Sequence, residues 1–182
     1  MAKGILDTST LLLLPRLTAT ELPEEPLITA ITLAELSVGP LVAVSDTERA
    51  ARQAHLQQAE ADFEPIPFDA TAARHFGQVA AALRRMGRKP AARSYDAMIA
   101  AIALANDLPV HTSNPSDFEG IDRLVVVEVP IPDLRSGVDD DQRLTMSELS
   151  LRRGTSRDHR LHRAALRPCR ASIGPCRRLR PP

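Results

Sequence analysis

Tryptophan is missing from this 182-residue chain, and tyrosine and phenylalanine together number five. So few aromatic faces leave no base-stacking platform of the kind built from paired aromatics on a sheet. Cysteine is nearly missing as well. Cys169 and Cys176 both lie in the last fourteen residues, which excludes a disulfide framework and fits a reducing, cytoplasmic compartment. The eight glycines are too scattered to form a G-x-G-x-x-G or G-x-x-x-x-G-K phosphate loop. No apolar run exceeds the nine residues 97 to 105, half of what a membrane span needs. The leucines at 11 to 14 are bracketed by Asp7 and Pro15 and lead to no small-residue cleavage site, so no secretory signal is read.

What remains is an ordinary globular balance, 43 % hydrophobic and 25 % charged, on a length that suits one domain with an appendage. The formal charge of zero hides two unlike parts. Residues 135 to 182 carry twelve arginines against five acids, a charge of +7, and residues 1 to 134 carry −7. Periodicity also fades at Arg135, so the domain boundary is expected there, with 1 to 134 as the body and 135 to 182 as an irregular, largely disordered Arg-rich tail. A short helix near residues 146 to 153 is expected within it. The tail holds His159, His162, Cys169 and Cys176, four residue types that zinc accepts. Their spacing is wrong for zinc, because the two cysteines stand seven apart where structural sites use close pairs.

In the body, short apolar runs alternate with helical patterns. Gly4-Ile5-Leu6 reads as a strand, followed by a leucine-rich helix that Pro15 interrupts. Residues 26 to 30 read as a second strand, and residues 32 to 36 as a helix stopping at Gly39-Pro40. Ser45 with Glu48 suggests a capping box opening a long helix to about Phe63. Ile66 and Phe68, between prolines, suggest a brief edge strand. Asp69 is expected to cap a helix ended by Gly87, and Ser94 to cap a buried one. Val110-His111-Thr112 and Leu124-Val125-Val126-Val127 complete the strands. The expected fold class is α/β, a three-layer α/β/α domain with a mostly parallel central sheet. Ligands bind such sheets at the carboxyl ends of the strands.

Four acids fall near those ends: Asp7 after the first strand, Glu35 one turn into the following helix, Asp96 at the start of the buried helix, and Asp117 in the loop after Thr112. Each alone has an ordinary explanation as a cap or a solvated acid. Together they would repel one another, and a bound cation would reverse that penalty. Oxygen-only ligands select a hard cation such as Mg²⁺ or Mn²⁺. Such an ion can activate water and neutralise charge on a phosphodiester. Arg84, Arg85, Arg88, Lys89 and Arg93 place five cations in ten residues, a rim suited to a phosphate-bearing polyanion or alternatively to the end of a helix.

Four motifs carry a resemblance: Ile5-Leu6-Asp7-Thr8-Ser9, Thr29-Ala30-Ile31-Thr32-Leu33-Ala34-Glu35-Leu36, Tyr95-Asp96-Ala97-Met98-Ile99-Ala100-Ala101, and Thr112-Ser113-Asn114-Pro115-Ser116-Asp117-Phe118. In this order and spacing, over about residues 1 to 130, the chain resembles PIN-domain ribonucleases of the VapC type, the toxins of bacterial toxin–antitoxin pairs. The resemblance implies an α/β/α fold and Mg²⁺- or Mn²⁺-dependent cleavage of structured RNA such as tRNA or rRNA. It further implies a homodimer and inhibition by a small VapB-type antitoxin, with no membrane association. Carried over, Asp7, Glu35 and Asp96 would be the core metal-site acids and Asp117 the fourth, while Ser9, Thr112 and Asn114 would orient acids or phosphate. The chain departs from the family in its Arg-rich extension, and Glu119 and Asp122 stand close enough in sequence to substitute for Asp117.

Two other classes use a similar acid after a first strand. A phosphotransfer domain would make Asp7 a covalent nucleophile, but a phosphatase of the haloacid dehalogenase type wants a second acid where Ser9 stands. A receiver domain wants a lysine after the last strands, and Lys3 and Lys89 are the only lysines. A catalytically inactive RNA-binding module of the same fold is the second alternative.

Overall fold

The computed structural model describes residues 2–87 and 94–132 of the chain. Its centre is a sheet of four short strands, β1 (Lys3–Leu6), β2 (Glu25–Leu27), β3 (Val110–Thr112) and β4 (Val126–Glu128). All three pairings are parallel, in the order β2-β1-β3-β4, with Ile5 opposite both Leu27 and Val110, and Val110 opposite Val126. Parallel neighbours need crossovers, and those from β1 to β2 and from β2 to β3 carry the helices α1 (Thr8–Leu13), α2 (Ala30–Val38), α3 (Asp46–Asp62), α4 (Ala70–Arg85) and α5 (Ser94–Ala105), while β3 reaches β4 through a 3₁₀ turn at Pro115–Asp117.

The layering follows from β1 alone. Successive strand residues point to opposite faces. Ile5 belongs to a core built with Val79 and Leu83 of α4, Ala97, Ile99 and Ile102 of α5, and Phe118. Leu6, its neighbour, belongs to a second core with Leu11, Leu14, Leu17, Leu36 and Phe63, under α1 to α3. One sheet therefore separates two apolar clusters, which is the expected three-layer α/β/α arrangement. Gly4 is in the sheet for a steric reason. A Cβ there would stand 2.5 Å from Cδ2 and Nε2 of His111, whose ring lies across from it on β3. Among the described residues no helix is long and apolar enough to cross a membrane.

Several boundaries differ from the sequence expectation, each for a local reason. The second strand ends at Leu27 instead of Ala30, and the helix starts at Ala30, because the hydroxyl of Thr29 accepts from the Thr32 N–H at 3.1 Å and caps it. Ile66 forms a single bridge to Thr29, with no edge strand and Phe68 outside it. Ser45 does cap α3, accepting from Glu48 N–H, but the Glu48 carboxylate reaches back to the Val44 N–H at 2.9 Å, so the box is displaced by one residue. Ser94 lies inside α5 and is not its cap. The last strand is Val126–Glu128 and not 124–127. Pro15 sits in a 3₁₀ turn, Leu14–Arg16, that closes α1. Gly87 takes φ of +73° just beyond α4, the left-handed stop that glycine allows.

Candidate active site

The first acid is fixed by its place at the junction of strand and helix. Asp7 follows β1, its N–H donates to His111 O at 3.1 Å, and its side chain caps α1. The carboxylate is 6 % exposed. Its Oδ1 accepts from Thr10 N–H at 2.8 Å and its Oδ2 from the Thr112 hydroxyl at 2.8 Å. Ser9 Oγ stands 3.0 and 2.9 Å from the two oxygens and 2.7 Å from Ser113 Oγ. Three donor groups, the Ser9 hydroxyl and Thr10 N–H of α1 and the Thr112 hydroxyl of β3, thus hold one carboxylate in one orientation.

Glu35 comes to the same place from α2, where the Thr8 hydroxyl donates to its Oε2. Burial pushes the Glu35 carboxyl above its ordinary 4.5, the Thr8 hydrogen bond opposes the shift, and the negative charge of Asp7 adds to it. The structure therefore brings Asp7 and Glu35 close enough to act on each other. Asp117 ends the 3₁₀ turn Pro115–Asp117 and joins this pair through a relay. Its Oδ2 accepts from the Asn114 amide at 2.6 Å, the Asn114 N–H donates to Thr112 Oγ1 at 3.0 Å, and that hydroxyl donates to Asp7. Asp96 is partly exposed in the first turn of α5, which packs against α2, the helix that carries Glu35.

Among the described residues, no three acidic, histidine or cysteine side chains are grouped tightly enough to hold a metal ion between them. A closed four-carboxylate cup is thus not what the described residues form. The donor chemistry of the Asp7–Glu35 pair nevertheless fits a small hard cation, which takes one or two carboxylates and completes its shell with water and substrate phosphate. A carboxyl raised by burial and by a like charge is also one that a cation relieves.

Arg84 and Arg85 are exposed at the end of α4, and Arg85 Nη2 lies 3.6 Å from Asp122 Oδ2. Arg88, Lys89 and Arg93 lie outside the described residues. So do His159, His162, Cys169, Cys176, the residue 146–153 helix and the boundary at 134/135.

Four residues near the acids had no assigned part in the sequence reading. Thr8 and Ser113 were in the motifs, but only the fold shows which carboxylate or hydroxyl each meets. Arg52 and His55 of α3 wall a cleft of about 210 Å³ beside Glu35, with Thr8 and Leu12 opposite. The Arg52 guanidinium is held by Glu48 at 2.5 Å and by Gly39 O at 3.0 Å. The Glu48/Arg52 spacing of four was legible as a helix-face pair, though not its position near Glu35.

Known proteins share this sequence pattern and fold. Residues 5–124 match the PIN domain. Ribonuclease VapC5 of Mycobacterium tuberculosis (strain ATCC 25618 / H37Rv) is 37 % identical over 131 residues, which cover 70 % of this chain and 94 % of that protein. Among solved structures, VapBC-5 from Mycobacterium tuberculosis, a member of the VapBC family of toxin–antitoxin systems, superposes with a TM-score of 0.61 at 36 % identity, covering 72 % of this chain and all of that one. DNA-bound VapBC from Salmonella typhimurium gives 0.55 at 29 % identity, over 70 % of this chain and 98 % of that one.

Proposed function

The chain belongs to the PIN-domain family, beside the VapC ribonucleases, and on that premise we propose that it is an Mg²⁺- or Mn²⁺-dependent endoribonuclease acting on structured RNA such as tRNA or rRNA. The observation that carries the reading is the Asp7–Glu35 pair, two partly buried carboxylates at the carboxyl end of a parallel sheet, one fully hydrogen-bonded and the other raised. Asp7 and Glu35 would hold the cation, with Asp96 and Asp117 as the further acids of the site. When bound, the ion supplies an activated water and neutralises charge developing on the phosphodiester.

The chain's own residues prepare that chemistry. Ser9 and Thr112 keep both oxygens of Asp7 aimed in one direction, so no reorganisation is needed when substrate arrives. Thr8 does the same for Glu35, and Asn114 ties Asp117 to the Thr112 hydroxyl. Without a cation, burial first and the charge of Asp7 second make the Glu35 carboxyl take up a proton more readily than a free one. VapBC-5 belongs to a family of toxin–antitoxin systems, which supports a growth-inhibiting toxin role here and a small VapB-type antitoxin as partner; in this reading the protein further acts as a homodimer in the cytoplasm.

The test is cleavage of tRNA and rRNA by the purified chain with Mn²⁺ or Mg²⁺. Asp7→Asn keeps an acceptor for the α1 cap, so the variant folds, and its cleavage rate falls by at least about a hundredfold, as loss of a preorganised charge does. Full activity in Asp7→Asn refutes the assignment.

A further inference from the structure

Away from the acids, a larger cleft of about 580 Å³ opens between α4, the end of α5 and the turn before β4. Its walls carry three guanidiniums, Arg74 and Arg85 of α4 and Arg123 of the turn, against one acid, Asp122, which meets Arg85 at 3.6 Å. Its floor is apolar, with Leu104 and Ile121 beneath. A volume of this size accepts a nucleotide-sized group, and the lining combines apolar side chains with cations.

Two features of the backbone border the cleft. Arg123 sits at φ of +66°, a left-handed conformation that a long side chain rarely takes. Gly77 lies in the interior of α4, where glycine weakens a helix, yet no atom stands within 4 Å of where its Cβ would be. The Leu124 N–H donates to Ile121 O at 3.3 Å and closes the turn that holds Arg123 at this φ, whereas no neighbour requires a glycine at 77. Both line the cleft, one by aiming a cation toward it and the other by leaving its wall bare. Bare backbone of this kind leaves room for a ligand to come close.

We propose that this cleft is a second RNA subsite, taking a phosphodiester on Arg74, Arg85 and Arg123 and the attached base on the apolar floor, while another part of the same strand lies on the acids. The proposal rests on the ribonuclease reading. The two sites share α5. Asp96 and Leu104 are eight residues apart on it, about 12 Å at 1.5 Å per residue, a distance that a strand covers within a few phosphates.

The test uses the full chain and a fluorescent stem-loop RNA, with binding followed by anisotropy in EDTA at several salt concentrations. Arg74→Gln/Arg123→Gln is expected to raise Kd about tenfold and to flatten the dependence of log Kd on log salt by one to two, with melting temperature unchanged. Gly77→Leu fills the cleft without altering charge. It is expected to raise the melting temperature, since a helix glycine is replaced, and to weaken RNA binding all the same. A merely structural role would not separate those two readouts. With Mn²⁺, both variants are expected to raise KM and leave kcat unchanged. Wild-type affinity and salt slope in both variants overturn the proposal. Failure of the wild-type chain to cleave any RNA, with the binding losses intact, overturns the ribonuclease reading and leaves the subsite standing.

Discussion

At the scale of single residues, Glu35 makes a pH prediction with a definite sign. Its carboxyl is raised in the fold above 4.5, so the folded state binds more protons than the unfolded one. The stability this contributes is complete below 4.5 and disappears as pH rises through the folded value. His111 acts in the opposite sense. Burial lowers it below 6.5, its Nδ1 has no hydrogen-bond partner among the described residues, and stability is lost as pH falls below 6.5. In EDTA, urea denaturation from pH 4 to 8 should therefore show Glu35→Gln gaining on the wild type as pH rises, with added Mg²⁺ closing the difference. A constant gap across that range contradicts a Glu35 carboxyl raised by the fold. The same histidine fixes Gly4. Gly4→Ala would press a methyl into the His111 ring, a loss of about 1–3 kcal/mol by denaturant titration. His111→Ala in the same chain should recover part of it, as contacting residues do not add.

Elements depend on their caps, and the two aspartate caps serve different ends. Asp69 accepts from Thr71 N–H at 2.9 Å and Ala72 N–H at 2.8 Å, and has only a helix to hold. Because α4 brings Val79 and Leu83 into the core, Asp69→Ala should cost about 1 kcal/mol in thermal or urea unfolding and leave RNA cleavage per folded molecule unchanged. Asp7 caps α1 and belongs to the acid pair as well. Caps were the most legible features of the sequence, since Asp69 and Ser45 reveal themselves by residue type before a helical pattern. Thr29 was less so. It stands in an apolar run that reads as strand, and only the hydroxyl's approach to Thr32 N–H shows that the helix has already begun. The Ile66 bridge was misread as a strand because flanking prolines and alternation do not say how many ladder bonds a partner will supply.

For the molecule as a whole, every core residue among the described ones lies between Ile5 and Val129. A chain ending at residue 134 is therefore expected to keep its far-UV circular dichroism, its melting midpoint and its RNA cleavage. A truncated chain that does not fold would place part of the core beyond residue 134. The −7 charge of residues 1 to 134 makes the loss of twelve arginines visible only in weak, salt-sensitive affinity for RNA.

Sequence alone determined the α/β class, the parallel sheet and the acids worth examining. Those depend on local periodicity, on caps, and on the rule that ligands meet strands at their carboxyl ends. It could not decide which acids touch. Asp7 and Glu35 are 28 residues apart, and Thr112 is 105 from the carboxylate it holds. Only the parallel register of β1 with β3, which sets His111 beside Leu6, brings that hydroxyl to Asp7. Tertiary structure likewise decided that the four acids are a coupled pair, a relayed third and a fourth on a neighbouring helix. Electrostatic coupling depends on distance and burial, and neither is written in the spacing of residues along a chain.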